Sequence, residues 1–226
     1  MRDDLRAQGL LPVGEPYTAL GFQHVGGGGG EQVVPGVFDV TGPDAIVDWV
    51  LVELRDPSSP GTVMATRSAL LQRDGDVVGL DGSSPVVLFL AAGNYHVALR
   101  HRNHLGVMTA NTVSLNGTAV TIDLRDPSTS TWGTNASKDL GGAMALWMGN
   151  SLQDGTLKYT GISNDRDPII SVIGGVVPTN VVTGYYREDC DLDGAVKYAG
   201  FQNDRDPILN NIGGLVPTAL RIEQLP

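Results

Sequence analysis

Short apolar runs separated by turn residues dominate the middle of the chain, from residue 36 to residue 126. The runs are rich in Val, Leu, Thr and Ala, and turn pairs such as Gly42-Pro43, Asp74-Gly75 and Asn116-Gly117 fall between them. Short runs bounded by such pairs are typical of β-strands. They predict strands at 37–40, 45–55, 62–71, 86–90, 95–102, 111–115 and 119–124.

Roughly seven short strands over about 90 residues favour an antiparallel β-sandwich at 36–126. The Asn116-Gly117 pair predicts a hairpin between the last two strands. Residues 1–35 are expected to be irregular, with the glycine run 26–30 as a flexible linker, and 127–145 is expected to be a second linker. The apolar residues expected in the sandwich core are Trp49, Leu51, Leu88, Leu90, Val97, Leu99 and Ile122.

The last part of the chain, 146–226, contains an internal duplication. Residues 150–179 align with 189–218 at a constant offset of 39, and 17 of the 30 aligned positions are identical. Each copy begins with a loop around a glycine, continues with Asn-Asp-Arg-Asp-Pro and a short apolar run, and ends at Gly-Gly. The Asp-Pro pair predicts a two-turn helix in each copy, with Asp167 and Asp206 as N-caps and the following proline as the first helical residue.

The second loop has the spacing of a calcium-binding loop. It places carboxylates at positions 1, 3 and 5, which are Asp189, Asp191 and Asp193. Gly194 at position 6 allows the sharp turn, and Ala195 at position 7 is expected to offer its carbonyl oxygen. Because position 12 is Gly200, the predicted bidentate ligand is the later Asp204, with Asp206 as the competing choice. An acidic surface turn without an ion is the alternative interpretation.

The first loop carries fewer acids, so we expect weaker calcium binding there. Its predicted ligands are Asn150, Asp154, the carbonyl oxygen of Thr156, and Asp165. Leu152 stands where a third ligand would be needed. Lys158 and Lys197 occupy position 9 of the two loops, where a cation cannot assist calcium binding, and both are expected to point to solvent.

The paired loop–helix units resemble dockerin-type calcium modules. The phrase D-G-x-[LV]-K-Y-x-G-x-x-N-D-R-D-P-I, followed by I-G-G-x-V-P-T, is similar to the C-terminal region of large secreted Bacteroidetes-type proteins of the adhesin- or haemagglutinin-like kind. The phrases MRDDLRAQGLLP, EPYTALGF, ALLQRDGDVV and HRNHLGVMT extend that resemblance over nearly the whole chain. It implies an extracellular or cell-surface location, as the tail of a longer secreted precursor.

Composition and charge narrow the function further. Lys and Arg number 15 and Asp and Glu 25, which gives a net charge of -10 and argues against nucleic-acid binding. No apolar stretch approaches the roughly 18 residues of a membrane span, so no membrane insertion is expected.

The three clustered histidines, at positions 96, 101 and 104, are best interpreted as exposed strand-end residues rather than as a zinc site. No motif supplies a nucleophile, and we expect no enzymatic activity.

Together these patterns predict a mainly β protein, with an antiparallel β-sandwich followed by a small dockerin-like domain of two calcium loops with short helices. The predicted function is that of a non-catalytic, calcium-stabilised structural or adhesion module that forms a homo-oligomer or polymer. The alternative is a dockerin-like or carbohydrate-binding module that docks to a separate protein or glycan partner.

Overall fold

The computed structural model describes residues 1–226 and is mainly β, with 27% of residues in strands and 9% in helices. The helical elements are α1 (Asp4–Ala7), a 3-10 turn (Val37–Asp39), α2 (Arg166–Val172) and α3 (Arg205–Asn211). The strands of the first part are β1 (Ile46–Arg55), β2 (Val63–Gln72), β3 (Val77–Val78), β4 (Gly93–His101), β5 (His104–Met108) and β6 (Val113–Leu115). The later strands are β7 (Lys138–Asp139), β8 (Met144–Ala145), β9 (Thr156–Lys158), β10 (Val181–Thr183), β11 (Ala195–Lys197) and β12 (Leu220–Ile222).

The first six strands form one antiparallel sheet in the order β3-β2-β1-β4-β5, with β6 also paired to β4. The central strand β1 is buried along its whole length. It pairs with β2, where Leu51 lies opposite Ser68, and with β4, where Leu51 lies opposite Arg100. The ladder with β2 runs along the whole of β1, whereas the ladder with β4 covers its second half, Leu51 to Arg55.

The N-terminal segment covers one face of this sheet. Leu5, Tyr17 and Trp49 are fully buried in the main hydrophobic cluster of the chain. The Tyr17 hydroxyl donates a hydrogen bond to the carbonyl oxygen of Trp49 at 2.8 Å, and the Trp49 indole donates to the carbonyl oxygen of Pro12 at 3.0 Å. Burying each of these large side chains contributes on the order of 2 kcal/mol, so residues 1–35 are part of the sheet's core.

The glycine run lies on the sheet as well. The amide of Thr66 in β2 donates to the carbonyl oxygen of Val25 at 2.8 Å, and the Val25 amide donates to the Thr66 hydroxyl at 3.0 Å. A Cβ atom on Gly28 would overlap the carbonyl oxygen of Thr66. Glycine is therefore required for close packing here, in contrast to the flexible linker that was predicted.

The opposite face has a thinner cover, and the second sheet of a sandwich is not confirmed. Its small cluster of Val50, Val52 and Ala69 packs against partly exposed apolar side chains. Of the predicted core residues, Trp49 and Leu51 are buried, whereas Leu88, Leu90, Val97, Leu99 and Ile122 are partly exposed.

Within residues 36–126, three predicted strands are wrong, and two strands, β3 and β5, were missed. Residues 37–39 form the 3-10 turn, and 86–90 and 119–124 form no strand. The predicted hairpin at Asn116-Gly117 does not form, because β6 pairs with the start of β4 instead. The true hairpin partner of β4 is the unpredicted β5, which follows the turn at Arg102-Asn103.

The duplicated units exchange strands with each other. The strand that follows α2, β10, pairs with β11 of the second unit, and the strand that follows α3, β12, pairs with β9 of the first unit. Every pair in one ladder matches a pair in the other at the offset of 39. The units therefore form one body with approximate twofold symmetry, which rests on β5 through a cluster of Leu105, Leu157 and Ile212.

The two repeat helices begin two residues earlier than predicted. Their N-cap residues are Asp165 and Asp204, and Asp167 and Asp206 lie inside the first turn. Proline is tolerated there because the first-turn amides have no partner within the helix. Neither N-cap side chain bonds its own helix, since both point back into the preceding loops. None of the helices has the length and apolar character needed to cross a bilayer.

Candidate metal centre

Three carboxylates converge in the second loop. Asp189, Asp191 and Asp204 each place an oxygen within 4.8 Å of the oxygens of the other two. Asp189 and Asp204 are fully buried and Asp191 is half-buried. This is the only group of three or more His, Cys, Asp or Glu side chains that converges in this way.

Backbone amides hold the two buried carboxylates in place. Asp189 accepts hydrogen bonds from the amides of Asp193 at 3.1 Å and Gly194 at 2.9 Å. Gly194 has a φ of 85°, a conformation that favours glycine at this sharp turn. Asp204 reaches back from the start of α3 and accepts from the amides of Cys190 at 2.6 Å and Lys197 at 2.7 Å. The loop is thus closed on itself by its own acids.

The electrostatics of the cluster are unfavourable without a cation. Burial raises the pKa of the Asp204 carboxyl to about 8 and that of Asp189 to about 7. Burial and then the neighbouring Asp193 also raise the pKa of Asp191. The Arg102 guanidinium opposes the shift at Asp189, but it already pairs with Asp48 at 3.0 Å. Three desolvated like charges need either protons or a bound cation to neutralise them.

Asp193, the predicted ligand at position 5, lies outside this group. Its Oδ2 pairs with the Lys197 ammonium at 2.5 Å, and its Oδ1 accepts the amide of Ala195 at 2.9 Å. Ala195 itself begins β11 directly after the loop. The expectation that Lys197 points to solvent is wrong, because the spacing of four residues brings its ammonium back onto the loop.

The first loop repeats the scaffold with fewer acids. Asp165 accepts amides of Leu152 at 3.2 Å and Lys158 at 2.8 Å, and burial raises its pKa to about 7. Asn150 is 5% exposed, and its Oδ1 is buried without a hydrogen-bond partner. The other two predicted ligands lie nearer the surface, where the exposed Asp154 accepts the amide of Thr156 at 2.9 Å.

A buried polar cluster beside the second loop was not anticipated from the sequence. Asp48 of β1 accepts hydrogen bonds from His101, Arg102 and Tyr185 at 3.1, 3.0 and 2.6 Å. The interpretation of the histidines as exposed is wrong, because His96 and His101 are each 4% exposed and burial lowers the pKa of His104 well below its usual range. No sequence motif marks this cluster, since its members are far apart along the chain.

The single cysteine of the chain, Cys190, lies directly beside these acids. Cys190 is fully buried in the apolar cluster of the repeat, and burial raises the pKa of its thiol well above the usual value. A thiol in this environment stays protonated and unreactive.

Comparison with known proteins finds no matching family model, no similar curated protein and no similar solved structure.

Proposed function

We propose that this chain is a non-catalytic structural module that calcium stabilises, with the ion held in the second loop by Asp189, Asp191 and Asp204. The convergence of three largely buried carboxylates within 4.8 Å carries the proposal. The three converging donors are carboxylate oxygens, which suit a hard cation such as calcium. The carbonyl oxygen of Ala195, the Asp193 carboxylate and water complete the six to eight ligands that calcium takes.

The contribution of the ion to stability follows from the charges of the second loop. Its acids lose hydration on folding and repel one another, so the metal-free fold carries a penalty. A cation that binds only the folded chain removes the penalty and adds its binding free energy to the unfolding free energy. Affinities on the order of 10⁻⁴ M suffice for modules in calcium-rich surroundings outside cells.

The first loop is proposed as a weaker second site. It keeps Asp165 and the buried, unpartnered oxygen of Asn150 in the places that Asp204 and Asp189 occupy in the second loop. Asp154 and the Thr156 carbonyl oxygen add further ligands. The duplicated loop–helix units with exchanged strands support a dockerin-like domain, and the thinly covered sheet face is where a sandwich partner would pack.

Attachment or self-assembly at a cell surface or in a matrix is the proposed role of the module. Two exposed apolar patches, one for each ladder of the repeat body, support it. The first patch is Ile162, Leu215, Val216 and Leu220, and the second is Phe201, Val176, Val177 and Val181, which match the first at the offset of 39. Ile162, Phe201, Val176 and Leu215 are 84–91% exposed. Exposed apolar side chains of this size are candidate contact points for a partner.

The main sheet has hydrogen bonds to other segments at both of its sides, which leaves fewer unpaired backbone groups for another strand. On the β5 side, the Leu105 amide donates to the Trp147 carbonyl oxygen and the Met108 carbonyl oxygen accepts the Trp132 amide. On the β2 side, Val25 of the N-terminal segment bonds Thr66. Part of each of these strands is therefore already hydrogen-bonded, and the two apolar patches are the surfaces through which copies would meet.

Docking to a separate protein is the second candidate function. The two near-equivalent patches favour it, because each presents the same small apolar pattern to a partner. Size-exclusion chromatography with light scattering separates the candidates. Growth beyond the monomer in calcium, abolished by Leu215→Ser with Val176→Ser, supports self-assembly, whereas a monomer at all calcium concentrations favours docking.

Calcium titration by calorimetry, with thermal melting in calcium and in EDTA, tests the metal proposal. We expect binding, a raised melting temperature in calcium, and loss of both in Asp204→Asn. Asp206→Asn is the matched control, because Asp206 is an exposed acid of the same motif outside the cluster. Absence of binding by the unaltered chain, or equal effects of the two variants, would refute a calcium site at this cluster.

A further inference from the structure

Asn103, in the turn between β4 and β5, is the point where the main sheet meets both loops of the repeat. It is fully buried although it stands in a turn. Its side-chain amide donates to the carbonyl oxygens of Asp189 at 2.6 Å and Arg187 at 2.9 Å. Its side-chain oxygen pairs with His104 Nδ1 at 2.7 Å, so every polar atom of the side chain is engaged.

The main chain of Asn103 is hydrogen-bonded to the first loop. The carbonyl oxygen of Asn103 accepts the amides of Gly149 and Asn150, both at 2.9 Å. Asn150 and Asp189 are the first residues of the two loops, at equivalent places in the duplication. One residue of the sheet thus fixes the starting point of both loops, on either side of the approximate twofold axis.

The neighbouring residue reinforces this junction. The carbonyl oxygen of Arg102 accepts the side chain of Gln153 from the first loop at 2.8 Å, while its guanidinium donates to the carbonyl oxygen of Tyr186, just before the second loop. The turn is therefore inserted between the loops and hydrogen-bonds to both of them.

We propose that Asn103 is a positioning residue for the second loop's cation and couples the two loops to each other. This inference rests on the proposed calcium site. The amide of Asn103 sets the main-chain direction at Asp189 and so the line along which that carboxylate enters the cluster. Residues that support ligands in this way typically change metal affinity about 10- to 100-fold when they are removed.

The first test compares calcium binding by the unaltered chain, Asn103→Ala, and the control Asn116→Ala in an exposed turn. We expect the dissociation constant to rise at least about tenfold in Asn103→Ala and to stay unchanged in the control. A lower melting temperature in EDTA with an unchanged dissociation constant would overturn the inference, because that result describes a purely structural residue. Failure of the unaltered chain to bind calcium would overturn the proposed site as well.

A second measurement does not depend on the folding of Asn103→Ala. Hydrogen exchange is followed with and without calcium in Asp165→Asn, where the first loop has lost its buried carboxylate. We expect calcium in the second loop to slow exchange of the Gly149 and Asn150 amides, which bond Asn103, while the remote Thr66 amide stays unchanged. Protection confined to residues 189–204 would overturn the coupling.

Discussion

The ammonium of Lys197 lies 2.5 Å from a carboxylate oxygen of Asp193, inside the loop that holds the acid cluster. Lys158 stands at the equivalent position of the first loop, but its ammonium donates to the carbonyl oxygen of Ile162 instead. The second loop therefore carries an internal cation that occupies one of its own acids. At the proposed calcium site, the ion would have to compete with this ion pair to gain Asp193 as a ligand.

Removing the lysine is expected to strengthen calcium binding. In Lys197→Met, Asp193 is free to act as a ligand and a positive charge next to the site is gone. We expect a dissociation constant lower by about 3- to 10-fold, which corresponds to roughly 1 kcal/mol. Calorimetric titration checks this, with Lys158→Met as the matched control that leaves the second site unchanged. Weaker binding in Lys197→Met would show that Asp193 is not a ligand.

Stability without metal is expected to fall as pH rises from about 6.5 to about 8, above the range in which the lowered pKa of His104 has the opposite effect. Burial raises the pKa of Asp204 to about 8 and of Asp189 to about 7, whereas the unfolded carboxyls titrate near 4. The folded chain therefore holds protons that the unfolded chain has released in this window, and that contribution is lost as pH passes the folded pKa values. The lowered pKa of Asp48 affects stability only at more acidic pH.

Calcium is expected to reverse the trend, because it takes the place of those protons. The gain in melting temperature on adding calcium should grow from about pH 6.5 to about pH 8. Melting curves in EDTA and in calcium across this range provide the measurement, and Asp204→Asn should flatten the dependence in EDTA. A melting temperature in EDTA that climbs steadily with pH would contradict the buried-carboxylate account.

The Asp48 cluster is expected to be a large contributor to stability. Asp48→Asn removes the charge that pairs with the fully buried Arg102 and leaves that guanidinium uncompensated. Breaking a buried ion pair from one side costs about 3–5 kcal/mol. Denaturant unfolding in EDTA measures the loss, and the exposed Asp44→Asn should change the unfolding free energy by less than about 0.5 kcal/mol. A loss below about 1 kcal/mol would mean that Arg102 finds another partner.

Sequence patterns predicted those features that depend on residues close together along the chain. The duplication, the return of Asp204 to its loop and the strands β1, β2 and β4 follow from residue spacing and from apolar runs bounded by turn residues. The predicted N-cap positions were two residues too late. Asp204 is the N-cap residue of α3, but its carboxylate accepts hydrogen bonds from the preceding loop and not from the helix. The segments 86–90 and 119–124 have strand-like composition, but no partner strand reaches them.

The features that sequence did not reveal depend on contacts between distant residues. Asp48 meets Tyr185 across 137 positions, and Asn103 meets Asp189 across 86. A buried histidine or asparagine has no local signature that separates it from an exposed one, because its burial is decided by what packs over it.

The glycine run provides a last prediction, since it was expected to be a free linker and instead packs on β2. Gly28→Ala places a methyl group against the carbonyl oxygen of Thr66, so the segment must leave the strand or the strand must bend. Overpacking of this kind costs about 1–3 kcal/mol, which thermal melting detects. Gly117→Ala is the control, because a Cβ atom there meets no atom within 4 Å. If both variants melt like the unaltered chain, the run is detached from the sheet in solution, and the cover that it gives to the β2 edge is absent.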